Sequence, residues 1–195
     1  EVYQQILADL TEAENNLPEE IVSRNLAHKK AAQALHARVA LYQQDWEAAE
    51  NYATMLIESA DFSLEQPFQN IITEEGNNES IFELDFNLTD QNQLSPFFYP
   101  ATLGGFYRVG PTDELIAILK DPAKAGSRSV LLGEEAGAPY GNRYRKATGA
   151  MNDDNYPILR LAEMYLIRAE ARANLDNPDG AAEDVDAIRN RAGLG

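Results

Sequence analysis

Glu83 and Asp85 stand two residues apart in the run Ser80-Ile81-Phe82-Glu83-Leu84-Asp85-Phe86, whose alternation predicts a β-strand. Side chains two apart on a strand share a face at roughly 6.5–7 Å, a separation that paired carboxylates use in glycoside hydrolysis. Some sugar-cleaving enzymes carry a Glu-x-Asp-x-Glu strand, but the third position here is Asn87. The pair therefore reads as the polar face of an edge strand, with Phe82, Leu84 and Phe86 on the other face. No catalytic residue is assigned, and the chain is read as a non-enzyme.

Other chemistry-bearing residues give less. His28 and His36 are eight apart on one predicted helix, not the i, i+4 spacing of a helical zinc pair, so no metal is expected. The chain has no cysteine, which removes disulfides, thiolate nucleophiles and Cys-ligated zinc. There is no nucleophile elbow, phosphate loop or dinucleotide fingerprint, so no cofactor is expected. Trp46 reads as a packing residue. Arg160, Glu163, Arg168, Glu170 and Arg172 crowd one helix, and their expected role is in ion pairs that fix how the C-terminal helices dock.

One segment has the composition of a sugar site. Sugars present flat apolar faces edged by hydroxyls, so their sites pair aromatic platforms with Asn, Asp, Arg or Gln. Asn87, Asp90, Gln91 and Asn92 are followed by Phe97-Phe98-Tyr99 and then Phe106-Tyr107-Arg108, with Gly104-Gly105 free to turn between them. The candidate ligand residues are Asn87, Asn92, Phe97, Phe98, Tyr99, Phe106, Tyr107 and Arg108. The competing reading is that these aromatics anchor a loop, since each ring buries a large apolar area.

The elements that must position these groups are mostly helical. Residues 3–17 place Tyr3, Ile6, Leu7, Leu10, Ala13 and Leu17 at helical spacing before Pro18. A second helix is expected from Ser23 or Asn25 to about Tyr42, with Ala27, Ala31, Ala34, Leu35, Val39 and Tyr42 facing inward. A third, capped by Asp45, runs from Trp46 and repeats Ala49, Tyr52, Ala53 and Leu56. The short turn between these two makes them antiparallel.

The same pattern returns near the C-terminus. Pro157 to Asn174 reads as a helix with Leu161, Met164, Tyr165, Leu166, Ile167 and Ala171 apolar; Asn177 caps its partner, and Gly193 ends it. Ala48-Ala49-Glu50 falls on Ala181-Ala182-Glu183, Tyr52 on Val185, and Ala40 on Ala173. Small residues at fixed places let two helices approach closely, as in a tetratricopeptide (TPR) helix pair.

The fold expected is therefore mainly α, with a TPR-like pair in residues 1–61, another in 157–195, and a loop-rich insertion at 62–156. That insertion holds most of the aromatic residues, glycines and prolines, the strand at 80–86, and a short helix with Thr112 as N-cap ending at Asp121-Pro122. Long loops within a domain tend to carry function. Thirty-two Asp and Glu face 16 Lys and Arg, for a net charge of −16. Such a surface repels nucleic acid and anionic membrane. No run approaches the ~20 apolar residues of a membrane helix.

Together these blocks resemble a known family. Tyr156-Pro-Ile-Leu-Arg-Leu-Ala-Glu-Met-Tyr-Leu-Ile-Arg-Ala-Glu-Ala171 and Ala187-Ile-Arg-Asn-Arg-Ala-Gly-Leu194 resemble the signature helices of SusD/RagB nutrient-uptake lipoproteins. Ala37-Arg-Val-Ala-Leu-Tyr42 with Trp46-Glu-Ala-Ala49, Glu79-Ser-Ile-Phe-Glu83, and Pro111-Thr-Asp-Glu-Leu115 match further family blocks in order. The resemblance implies a SusD-like α/α superhelical scaffold on the outer surface of a Bacteroidetes-type outer membrane. It further implies binding of polysaccharide or oligosaccharide, and a SusC-like TonB-dependent porin as partner. The family's lipidated N-terminal Cys and C-terminal segment lie outside the matched blocks, so the lipid anchor is expected outside these residues. The alternatives are a TPR-type protein-binding adaptor and, behind it, a glycoside hydrolase.

Overall fold

The computed structural model describes residues 1–144 and 152–195. In chain order its elements begin with α1 (Val2–Asn16), α2 (Lys29–Gln43), α3 (Trp46–Ile57) and α4 (Asn70–Thr73). Next come β1 (Ser80–Leu84), α5 (Ser95–Phe98), α6 (Asp113–Lys120), α7 (Pro122–Ala125), β2 (Leu132–Glu135) and β3 (Ala138–Gly141). The last are β4 (Tyr156–Arg160), α8 (Leu161–Asn174) and α9 (Pro178–Arg191). The chain is mainly α, as expected. It forms two compact units: Glu1–Leu64, Asn78–Glu83 and Pro157–Arg189 make the first, and Glu65–Asn77, Leu84–Tyr156 and Asn190–Gly195 the second.

In the first unit, α1 buries Leu10, with Ile6, Leu7, Ala13 and Leu17, against Ala32 and Val39 of α2. The helix α2 starts at Lys29, several residues later than its expected start. His28 is the reason. Its backbone is extended, its Nδ1 accepts a hydrogen bond from the Ala31 N–H at 3.1 Å, and its Nε2 lies 3.0 Å from the Ile81 carbonyl. Nδ1 as acceptor requires the neutral tautomer with the proton on Nε2, which then donates to Ile81. Ala27, Leu35 and Tyr42, expected inside, are exposed, and the α2 face that packs on α3 is Ala34, Ala37 and Ala40. Those small side chains meet Ala49 and Ala53, so the two backbones approach closely. Asp45 caps α3 by accepting from the Ala48 N–H, as expected.

The C-terminal pair differs from expectation at its start. Residues 156–160 form β4, hydrogen-bonded to β1, and the helix begins only at Leu161, whose N–H donates to the Glu79 carbonyl at 2.9 Å. Leu161, Met164, Ile167 and Ala171 of α8 join the α2–α3 core, and α8 packs along α3. Leu166 points to solvent instead of inward. Of the five residues expected in ion pairs, Glu163, Arg168 and Arg172 pair between helices, Arg160 lies in β4 and meets Glu79 at 3.4 Å, and Glu170 is exposed. Arg38 forks onto Glu163 at 2.5 and 2.7 Å, Arg168 forks onto Asp184, and Arg172 reaches Glu50 at 2.9 Å and Asp184 at 3.1 Å. Each joins two different helices, which is how charge fixes the docking of α8.

In the second unit, α6 is capped by Thr112, which accepts from the Leu115 N–H, and it carries Asp113 and Glu114 in its first turn, as expected. The hairpin β2–β3 pairs Leu132 with Gly141 and Glu135 with Ala138 across Ala136 and Gly137, both at positive φ. A two-residue turn with two positive φ angles matches the twist of the flanking strands. Alanine carries no such turn signal, so the sequence predicts only part of the loop-rich insertion here.

Candidate functional site

Residues 92–109 fold back on themselves in the second unit. After α5 the chain turns through Pro100 to Gly104 and returns antiparallel to itself. The Phe106 N–H donates to Pro96 O at 2.6 Å and the Tyr107 N–H to Tyr99 O at 2.9 Å, while the Arg108 and Val109 N–H groups share Phe97 O at 2.7 and 2.9 Å. Gly105 makes this closure possible. A Cβ there would lie 2.0 Å from the Tyr99 carbonyl oxygen, a distance only glycine avoids.

The anchoring comes from beneath. Tyr99 is 2% exposed; its ring lies 5.0 Å from that of Tyr140, and its hydroxyl donates to Tyr144 O and to Asn142 Oδ1. Burial, with Tyr140 and Asp154 nearby, pushes the Tyr99 hydroxyl well above the ordinary phenol range, so it stays a donor. Phe98 is half-buried against Tyr144, ring to ring at 5.9 Å. Asn92 is wholly buried, its amide donating to Asp154 O at 2.8 Å and its oxygen accepting from the Leu94 N–H at 2.9 Å. Asn87 closes a turn on itself, its oxygen accepting from Thr89 and from the Asp90 N–H. Of the eight candidate residues, Asn92 and Tyr99 thus lie away from solvent, Phe98 is partly covered, and Asn87 spends its oxygen on a turn.

The remaining four are exposed on the same stretch of loop, and two of them are in ring contact. Phe106 is 63% exposed and Phe97 39%, with their rings edge to face at 6.2 Å. Tyr107 is 43% exposed and sits at φ +47°, its hydroxyl donating to the Pro139 carbonyl at 2.6 Å. That bond ties the tip of the loop to the β2–β3 hairpin. Arg108 is exposed beside them. Val109 and Leu94, which composition did not single out, are also exposed here. The arrangement offers ring faces held on a backbone braced by four hydrogen bonds, so little conformational freedom remains to be lost on binding.

The carboxylate pair reads differently once folded. Glu83 is 2% exposed, so it is not on the open face of an edge strand as expected. Ile81 and Glu83 form the covered side of β1, while Phe82 is half-buried and Leu84 exposed. Arg24 is its neighbour: the Glu83 N–H donates to Arg24 O at 2.9 Å, and the carboxylates of Asp61 and Glu83 favour the charged Arg24 guanidinium, which burial disfavours. Asp85 is exposed, so the two acids do not share an environment. His28 caps a helix, and His36 stacks on Tyr52 at 4.1 Å and meets Glu14 at 2.8 Å. Trp46 packs on the helical core.

A second concave feature lies in the first unit, between α8 and α9. It is an open groove of about 570 Å³ lined by Leu166, Ala169, Ala173, Ala181, Ala182 and Val185, together with Glu170, Asp186 and Arg189. The Ala173, Ala181, Ala182 and Val185 positions are those that the internal repeat aligns with Ala40, Ala48, Ala49 and Tyr52. In the earlier pair, that surface is covered by α8.

Comparison with known proteins gives a consistent picture. The SusD family model matches residues 138–195. A SusD superfamily protein from Bacteroides vulgatus is 27% identical, with a TM-score of 0.82 over 97% of this chain and 46% of its own. A SusD-like carbohydrate-binding protein from the same species superposes at a TM-score of 0.80 with 21% identity, covering 100% of this chain and 44% of its own. The surface glycan-binding protein A from Bacteroides uniformis gives 0.80 at 21% identity, covering 100% of this chain and 50% of its own. The chain therefore spans about half the length of the solved structures it matches. No curated protein matches it.

Proposed function

We propose that this chain, a segment of a SusD-family protein, captures oligosaccharide at the surface of the cell and hands it to a TonB-dependent porin of the SusC type. The observation that carries the reading is the exposed Phe97–Phe106 ring pair on its braced loop. Flat rings stack on the C–H faces of pyranoses, and a loop already rigid loses little entropy in doing so. That two similar folds are named as carbohydrate- or glycan-binding proteins supports the same reading. The outer-membrane location and the lipid anchor belong to this proposal. Among the described residues, no helix is long and apolar enough to cross a membrane.

The test is binding of the full-length parent and of this chain to a panel of polysaccharides, by retardation in affinity gels. Retardation by one glycan class, lost in Phe97→Ala/Phe106→Ala, is the expected result. A folded parent that binds no glycan overturns the reading.

A protein-binding adaptor is the second reading, and the apolar groove between α8 and α9 favours it. Its occupant would be a helix presenting bulky apolar groups at the spacing by which Leu161, Met164, Ile167 and Ala171 of α8 fill the earlier pair. Deletion of residues 87–108 separates the two readings: the adaptor keeps its partner, and the glycan receptor loses its ligand.

A further inference from the structure

The charged side chains of the second unit are not evenly committed. Its described cations are Arg108, Lys120, Lys124, Arg128, Arg143 and Arg191. Lys120 pairs with Glu134 at 3.2 Å and Lys124 with Asp121 at 3.4 Å. Arg128 donates to the carbonyls of Ala125 and Lys124. Arg143 lies over the Tyr156 ring and Arg191 over the Phe68 ring. Among these described cations only the Arg108 side chain has no hydrogen bond, ion pair or ring contact, in a protein where acids outnumber bases two to one. Its backbone is nonetheless fixed, because its N–H donates to Phe97 O at 2.7 Å. An uncommitted guanidinium is therefore displayed next to the aromatic platform, on a backbone tied to Phe97.

We propose that this platform selects oligosaccharides carrying an isolated uronic acid, with the Arg108 guanidinium taking the carboxylate and the Phe97 and Phe106 rings taking the neighbouring neutral sugars. The inference rests on the glycan reading above. A planar guanidinium matches a carboxylate bidentately, and such charge-assisted bonds are about twice as strong as neutral ones. The net charge of −16 argues against a densely charged polyanion, which the whole protein would repel. A single carboxylate among neutral residues meets Arg108 locally and escapes most of that repulsion through ionic screening.

The experiment immobilises a panel of uronate-containing and neutral glycans, each uronate glycan both native and after carbodiimide–borohydride reduction of its carboxylates to neutral sugars. The protein, Arg108→Gln, Arg108→Lys and Phe106→Ala are then compared. The tightest native ligand is expected to carry uronate and to lose roughly tenfold or more in affinity on reduction. Arg108→Gln should show the same loss on the native glycan and none on the reduced one. Arg108→Lys should recover part of the loss, and Phe106→Ala should weaken both forms. If the tightest ligands are neutral, or if reduction or Arg108→Gln changes nothing, the acidic selectivity is wrong and the glycan reading stands. If folded protein binds neither form of any glycan, the glycan reading fails and takes this inference with it.

Discussion

Arg168 grips Asp184 with two hydrogen bonds, from Nε at 2.9 Å and from Nη2 at 2.6 Å, and so ties α8 to α9. Asp184 is almost wholly covered and also accepts from Arg172 at 3.1 Å, so one carboxylate bridges two guanidinium groups, the second of which it shares with Glu50. The pair matters less for the energy it adds than for what its loss leaves behind. Without Asp184 the buried Arg168 guanidinium has lost its carboxylate and cannot be resolvated in place, while Arg172 keeps Glu50.

Asp184→Ala is accordingly expected to destabilise the chain by about 3–5 kcal/mol, the usual cost of stripping one partner from a buried pair. Urea unfolding followed by circular dichroism measures it. A loss below ~1 kcal/mol, the range of exposed pairs, would show that water reaches the site freely.

His28 predicts a pH dependence. Burial, chiefly, holds its imidazole pKa below the ordinary 6.5. The unfolded chain therefore binds a proton more readily than the folded one, and stability rises with pH in that window. Its contribution is fully present above about pH 6.5 and is lost as pH falls towards the depressed folded value. His28→Asn, which can still cap α2, is expected to flatten the dependence of unfolding free energy between pH 5 and 7 relative to the parent. Parallel curves for the two proteins would contradict this.

Gly105→Ala tests the closure of the aromatic loop. Its Cβ would collide with the Tyr99 carbonyl, so the return strand must shift, at a cost of ~1–3 kcal/mol. Glycan retardation should fall along with stability. An alanine variant of unchanged stability and binding would mean that the loop tolerates a different path.

Phe106 and Tyr99 should separate binding from folding. Phe106→Ala removes an exposed ring and is expected to change unfolding free energy by no more than ~0.5 kcal/mol while abolishing retardation. Tyr99→Phe deletes the donor to the buried Tyr144 carbonyl and should cost ~1–3 kcal/mol. Equal effects of the two variants on stability would refute the division between ring platform and anchor.

Much of the helical scaffold was legible in the chain itself. Asp45, Thr112 and Asn177 each cap the helix expected of them, because a cap is a bond between a side chain and an amide three residues on. The candidate site was legible only as a composition. Eight residues between 87 and 108 had suitable chemistry, and nothing in their order distinguished Phe106, which is exposed, from Tyr99, which is not. That difference depends on Tyr140, Asn142 and Tyr144, some forty residues away.

Sequence alone determined what is settled within a few residues: the helix pairs, the caps at Asp45, Thr112 and Asn177, the small core residues Ala34, Ala49 and Ala53, and the family they resemble. Tertiary structure decided what depends on distant partners. It turned Glu83 inward towards Arg24, made residues 156–160 a strand beside β1 in place of a first helical turn, and began α2 at His28, which Ile81 holds. It also left Leu166 and Val185 exposed although their spacing matches that of core residues. Periodicity names the apolar face of a helix, but only the neighbour that arrives there determines whether that face is buried.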